Sequence, residues 1–332
     1  MEHLTPVEAI AEHLLLISDC YRLLDEPHRQ RAFKKVADAI SDKFKSSYTV
    51  DEIKAWSFPG FGKSTRTVVC QFAVRGCSDR LDQLMQTPCI KARFALTEVS
   101  GIGSKKAEDL ISMGITSVSE LQDAVAAKFV TISRPAAACL EHHADLLKRI
   151  PFQEMLVLER ELSLVFREVE LQLNVVFAGS FRRHKGLSAR LRDESSSGDI
   201  DVFVTDPDVR TREDVDESSH MKTIVKFLKR SKLFVASLSV GPSKYAGLIA
   251  LPRGCVRRLD MRLFPHLSKT TGLLHYTGSA TTNASMRLRA AEQGMKLSEY
   301  ALVDSDGVEH VCDTEEYIFE CLGTPFIEPQ DR

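Results

Sequence analysis

The sequence predicts an α+β protein, with a helical N-terminal half followed by a mixed-sheet region and a small α/β C-terminal subdomain. Three observations predict it. Apolar residues recur at three- and four-residue spacing through residues 5–82, the period of helices with one buried face. Runs of β type begin only after Arg149-Ile150-Pro151. Two short elements, Gly60-Phe61-Gly62 and Gly101-Ile102-Gly103, each open a helical pattern, which marks a pair of helix-hairpin-helix units. A chain of 332 residues with 43% apolar content can hold several cores. The expected divisions are 1–85, 86–149, 150–264 and 265–332.

The first pattern runs through AIAEHLLLISDCYRLL and the second through FKKVADAISDKF, and Phe58-Pro59 then breaks the helical period. In each hairpin two glycines flank one apolar residue, allowing a tight reversal between helices. Unpaired amides at the second helix's start form an anion site that can hold a phosphate without reading bases. Basic residues follow closely, Lys63 and Arg66 after the first hairpin and Lys105 and Lys106 after the second. An ordinary all-helical domain is the alternative.

After the helix FQEMLVLERELSLVFREVE come LNVVFAGS, DIDVFVT, LFVASLSV, YAGLIAL and RRLDMRLF, strands interrupted by helices. The tail holds a helical ATTNASMRLRAAEQG and a final EEYIFECLG. The apolar stretch 246–251 falls far short of the ~20 residues of a bilayer crossing, so no membrane span is expected. The acidic N-terminus lacks the basic n-region of a secretory signal. Eight cysteines without a CxxC read as reduced thiols of an intracellular protein, and His142-His143 has no spaced partner for zinc.

A net charge of −2 conceals segregation. Residues 22–106 carry 16 Lys/Arg against 9 Asp/Glu, and 181–192 and 222–232 each hold five cations and no acid. Phosphates respond to such patches within a Debye length, so a polyanionic partner stays open.

Asp199 and Asp201 in GDIDVFVT sit at i and i+2, on one face of a strand, while Ile200 and Val202 turn to the core. In Arg257-Arg258-Leu259-Asp260-Met261-Arg262-Leu263 the same alternation puts Arg258, Asp260 and Arg262 opposite the apolar residues. Three such acids need countercharge, which two Mg²⁺ ions ~3.5–4 Å apart supply in phosphoryl transfer. Asp206-Pro207-Asp208 and Asp304-Ser305-Asp306 repeat the spacing but read as turns. The strand ending in Ala178-Gly179-Ser180 leads into a turn where backbone can approach a triphosphate, with Arg183 placed to bind it. A surface DxD on a buried strand is the competing reading.

Gly179-Ser180-Phe181-Arg182-Arg183, Ser196-Ser197-Gly198-Asp199-Ile200-Asp201, the Asp260 strand and Tyr276-Thr277-Gly278-Ser279 with Asn283 and Arg287 together resemble the signature of the family X DNA polymerases, of the beta type. Val99-Ser100-Gly101-Ile102-Gly103 and Lys148-Arg149-Ile150-Pro151 match in the same order, and the resemblance spans residues 20–325. It implies a nucleotidyltransferase-type palm. Asp199 and Asp201 would bind both Mg²⁺ ions, with Mn²⁺ as a substitute, and Asp260 would bind the catalytic one and help deprotonate a primer 3′-hydroxyl. Arg149, Gly179, Ser180, Arg183, Gly198, Tyr276, Gly278 and Asn283 would contact the incoming deoxynucleotide. Gly60, Gly62, Lys63, Gly101, Gly103, Lys105 and Arg287 would contact DNA, and Arg258, placed with this set, would support the acids. Carbonyls of Thr97, Val99 and Ile102 would hold Na⁺ or K⁺, as would those of Trp56, Phe58 and Phe61.

The implied activity is template-directed gap filling in base excision repair, by a monomer on gapped or primer-template DNA, in the nucleus or alternatively the mitochondrion. Template-independent or RNA-linked nucleotidyl transfer, and a non-catalytic scaffold for DNA ends, are the other readings. Three departures from the family stand out. Val68 occupies the place of the lysine that forms a Schiff base with a 5′-deoxyribose phosphate, leaving Lys63, Lys34 or Lys35 as substitutes and a DNA-binding role as the expectation. The 184–196 loop is about nine residues longer, its basic half suited to nucleic acid, and His275-Tyr276 and Ala280 alter the residues around the sugar and base.

Overall fold

The computed structural model describes residues 5–41, 47–169 and 171–332. Two compact units result, residues 1–131 and 132–332. Among the described residues, no helix is long and apolar enough to cross a membrane.

In the first unit, α1 (Val7–Leu23) and α2 (Pro27–Ser41) bury Ile10, Leu14, Ile17 and Tyr21 against Phe33, Val36 and Ile40. That is the predicted helical spacing made into a core. The end of the FKKVADAISDKF pattern, from residue 42, lies outside the described residues. The region is not wholly helical: Thr5–Pro6 pairs with Ser47–Tyr48 as two short strands. Pro6, with no N–H to donate, caps α1 rather than extending it.

The hairpins share one backbone. Gly60 and Gly101 have φ of +92° and +94°, and Gly62 and Gly103, at φ −85° and −82°, cap α3 (Lys63–Arg75) and α4 (Ser104–Ser112). Between the glycines, Phe61 and Ile102 are buried as anchors. Neither cap uses a side chain, so the first amides of both helices keep their N–H groups directed outward.

The second unit is built on a five-stranded sheet of β1 (Asn174–Phe177), β2 (Ile200–Thr205), β3 (Phe234–Val240), β4 (Lys244–Ala250) and β5 (Val256–Phe264). Its order is β1-β2-β5-β4-β3, with β2 and β5 parallel and the other neighbours antiparallel. Ile200, Val202 and Val204 of β2 and Leu259, Met261 and Leu263 of β5 face one core. Helices α5 (Phe152–Arg167) and α8 (His220–Arg230) close that side with Met155, Leu158, Leu162, Ile224, Val225 and Leu228. The opposite face carries Asp201, Asp260, Phe203 and Phe264.

Helices α6 (Gly179–Lys185) and α7 (Ala189–Asp193) lie between β1 and β2. This corrects two expectations. Gly179-Ser180 is the first turn of a helix, not a loop turn. The 184–196 segment is likewise not all loop: His184 and Lys185 finish α6, and α7 follows, with Gln153 bonded to Asp193 and Arg192 over the Phe152 ring. The Asp206 and Asp304 repeats are turns, each carboxylate accepting the amide two residues on. The tail contributes α9 (Lys269–Thr277), α10 (Ala280–Glu292), α11 (Glu315–Cys321) and a three-stranded sheet of two-residue strands.

Arg257, 4% exposed, pairs bidentately with Glu154 at 2.7 and 2.8 Å and donates to the Lys148 carbonyl at 2.7 Å. It fixes the segment leading to Arg149 against β5. Arg257→Ala leaves a carboxylate without its partner, a loss of about 3–5 kcal/mol. Calorimetry is expected to show the transition of the C-terminal unit fall by roughly 10 °C.

Candidate active site

Parallel pairing of β2 with β5 sets Asp201 and Asp260 opposite one another as register partners. Asp199 lies in the bend just before β2, one residue short of the strand on which the sequence placed it. The three carboxylates lie near enough to act on one another through their charges, but among the described residues no group of three His, Cys, Asp or Glu side chains is gathered closely enough to hold a metal ion as it stands. Burial pushes the Asp201 carboxyl up to about 7, reinforced by the charges of Asp199 and Asp260, while Arg183 and Arg258 pull it back. Asp199 is raised for the same reasons, burial first and then Asp260. Arg258 clasps Asp260, its Nε 2.7 Å from Oδ2.

Gly179 explains how Asp201 fits. At φ +55°, a Cβ on Gly179 would stand 2.0 Å from Asp201 Oδ2, so the carboxylate lies where a side chain would be. The N-terminal amides of α6 therefore adjoin the acids. Ser180 Oγ is 3.0 Å from Ser197 Oγ, and Arg149 Nε donates to Ser196 Oγ at 2.9 Å with its Nη2 on the Ser196 carbonyl. A Cβ on Gly198 would meet only Arg149 Nη1, at an ordinary 3.7 Å. Arg183 donates to the Thr277 carbonyl, and Arg182 donates to Thr277 Oγ1 at 2.6 Å. Arg182 also pairs with buried Glu315 at 2.7 Å, whose second oxygen meets Arg332 at 2.6 Å.

Gly278, at φ +69°, precedes Ser279, the cap of α10, and the bond between them is cis. Tyr276 is half-buried against Phe203 and Phe264, its hydroxyl pushed up by burial and by the nearby acids. Asn283 donates to the His275 carbonyl at 2.8 Å, and Arg287 meets His275 Nδ1 at 3.3 Å. His275 is depressed by burial and by Arg287, against the opposing pull of Glu299. Asn283 and Arg287 thus both bond to His275.

In the first unit Lys63, Lys105, Gly62 and Gly103 are exposed beside their hairpins. Arg66 donates to the Trp56 carbonyl at 2.8 Å and to that of Lys54, and Phe58 accepts from the Phe61 amide at 3.1 Å. A guanidinium therefore already serves one of the three carbonyls proposed for a cation at this hairpin. At the second, Val99 accepts from the Ile102 amide at 2.9 Å, and Thr97 ends the preceding helix. Val68 lines a cavity of about 450 Å³ with Ser64, Thr67, Arg80 and Lys63, whose amine is the only one in the lining. Lys34 and Lys35 are exposed on α2 and do not line it.

Sequence reasoning missed Glu299, which pairs with Arg262 at 3.0 Å and lies 3.4 Å from His275, and it named Arg66, Ser196, Ser197 and Thr277 without the partners they take here. Each acts through a partner distant in sequence, so no local spacing signals it.

Residues 149–266 match the family description DNA polymerase beta palm, and residues 272–332 match DNA polymerase beta thumb. The two matches adjoin in one chain and together cover more than half of it. The chain belongs to family X of the DNA polymerases. Among the relatives of this family X chain is DNA polymerase lambda of Rattus norvegicus, 27% identical across 97% of this chain and 56% of its own length. DNA polymerase lambda of Arabidopsis thaliana is 27% identical across 94% and 59%, and DNA polymerase/3'-5' exonuclease PolX of Bacillus subtilis (strain 168) is 24% identical across 93% and 51%. The chain spans little more than half the length of these relatives.

Proposed function

We propose that this chain is a DNA-directed DNA polymerase that fills short gaps, adding a deoxynucleotide to a primer 3′-end by two-metal phosphoryl transfer. The carrying observation is the trio Asp199, Asp201 and Asp260 crowded beside the start of α6. The donor set suits hard divalent cations: three carboxylates, two of them raised by burial first and by one another's negative charge second. Two Mg²⁺ ions, both held by Asp199 and Asp201 and one also by Asp260, would supply countercharge and stabilise the attacking and leaving oxygens.

The chain's own groups do the rest. The α6 amides and Ser180 hydroxyl bind triphosphate oxygens at the positive end of the helix. Arg183 exchanges its Thr277 carbonyl for the triphosphate, and Arg149 neutralises it from the Ser196 side. Asp260, positioned by Arg258, takes the proton from the primer hydroxyl. Tyr276 and Gly278 bound the sugar pocket, Asn283 and Arg287 meet the base and template, and the hairpin amides hold DNA phosphates. The second hairpin is the better cation site, since Arg66 serves the first. A terminal transferase would share the acids but needs no duplex-holding hairpins, and two hairpins of one backbone favour templated synthesis.

The test is extension of a primer bordering a one-nucleotide gap in Mg²⁺, with and without a templating base. Extension that follows the template is expected. Failure to extend with the template present, or equal extension without it, would overturn the proposal. In the same substrate a 5′-deoxyribose phosphate treated with borohydride is expected to give no crosslink, because Val68 cannot form an imine. A strong crosslink abolished by Lys63→Ala would instead assign a lyase to the cavity.

A further inference from the structure

The basic run at 222–232 is absorbed by none of the chemistry above. It belongs to a longer segment, Ser218 to Leu259, that carries nine Lys/Arg and not one Asp or Glu, in a chain whose net charge is −2. Helix α8 crosses this segment. Its Met221, Ile224, Val225 and Leu228 are buried in the core under the sheet, so its outer side is set by Lys222, Lys226 and Lys229 at the i, i+4, i+7 spacing of one helical face. Arg230 and Lys232 continue the row. All five are exposed, and none forms an ion pair among the described residues. The face lies on the far side of the sheet from Asp201 and Asp260, because α8 packs on the Ile200/Val202/Val204 side.

We propose that the outer face of α8 is a second, sequence-independent binding site for the phosphate backbone of duplex DNA. The five unpaired cations make a positive row along this face that the overall charge conceals, bounded before the helix by the acids Glu213, Asp214, Asp216 and Glu217. Phosphates require only such cations, and their capture is driven by released counterions. The composition of the face also separates DNA from other anionic partners. A membrane surface or a docking helix needs exposed apolar anchors. No large exposed hydrophobic occurs between Leu191 and Val240. Phe227 is half-buried, its ring beneath Arg230. The site gives the molecule two places to hold DNA: the acids' side, where a primer end is extended, and the α8 side, where a further duplex segment is retained.

The test uses the whole chain and the triple variant Lys222→Ala/Lys226→Ala/Lys229→Ala, whose alanines keep the helix. First, binding of an intact labelled duplex is titrated against salt. The variant is expected to lose about two to three from the slope of log K against log salt, near 0.9 for each phosphate contact removed. Second, an immobilised gapped oligonucleotide is saturated with protein and offered a separate labelled duplex. The unaltered chain is expected to recruit it, and the variant to stay on the gap and fill it without recruitment. An unchanged slope, no recruitment by the unaltered chain, equal recruitment by both, or capture of phosphatidylserine vesicles in place of the duplex would each overturn the proposal. Gap filling is read separately, so its loss would strike the polymerase reading and leave this one standing or falling on the slope.

Discussion

Asp201→Asn is expected to reduce primer extension at least a thousandfold, ~4 kcal/mol of barrier, while raising the thermal stability of the metal-free protein at pH 8. The two effects have one cause. The Asp201 carboxyl titrates near 7 in the folded chain, against ~3.9 in an unfolded one. Below about pH 4 both states hold the proton and the group costs nothing. Between pH 4 and 7 the unfolded chain releases it first, so the folded state loses ground as pH rises. Above pH 7 the penalty is complete, with an upper limit of ~4 kcal/mol from three pH units at 1.36 kcal/mol each. Asparagine removes that charge and the penalty with it. Mg²⁺ is expected to raise the melting temperature of the unaltered protein at pH 8 and leave the variant nearly unmoved. Equal melting temperatures for the two metal-free proteins at pH 8, with a gain for the variant at pH 4, would contradict the assignment.

Gly179→Ala is the second large effect. The added methyl meets Asp201 Oδ2 at 2.0 Å, and the residue must hold φ +55°, which costs about 1–2 kcal/mol for any side chain. Relief comes only by moving Asp201 or the first turn of α6, and both belong to the site. Extension is expected to fall a hundredfold or more and Mg²⁺ titration by calorimetry to weaken, with the far-ultraviolet spectrum unchanged. Gly198→Ala provides the contrast. Its nearest neighbour is Arg149 Nη1 at 3.7 Å, an ordinary contact, and its activity is expected to stay within about tenfold. Similar losses in the two variants would remove the steric argument.

Much of this was legible in the sequence because it depends on short periods. The alternation through Asp201 and Asp260 put acids and apolar residues on opposite faces, as the structure has them, whereas Asp199 stands in the bend before the strand. The paired Gly-x-Gly elements gave two hairpins of one backbone. What stayed hidden depended on where chain segments meet. The helical start at Gly179 escaped because AGSFRR reads as strand end or helix start alike until Asp201 packs into the glycine. The helix at 189–193 escaped because five residues are too few to show a period. The two arginines on Thr277 join residues more than ninety positions apart, and Arg66 reaches back ten residues across the first hairpin to the Trp56 carbonyl, and no spacing rule reaches either.

The pairing of β2 with β5 also decides how the site can fail. A slip of one residue would bring Leu259 or Met261 beside Asp201 and turn Asp260 toward the apolar core. A slip of two would restore the face but set Arg258 or Arg262, a cation, against the carboxylate. Asp201 and Asp260 therefore meet as carboxylates in only one register of the two strands, and every neighbouring alignment replaces one of them by an apolar or cationic side chain.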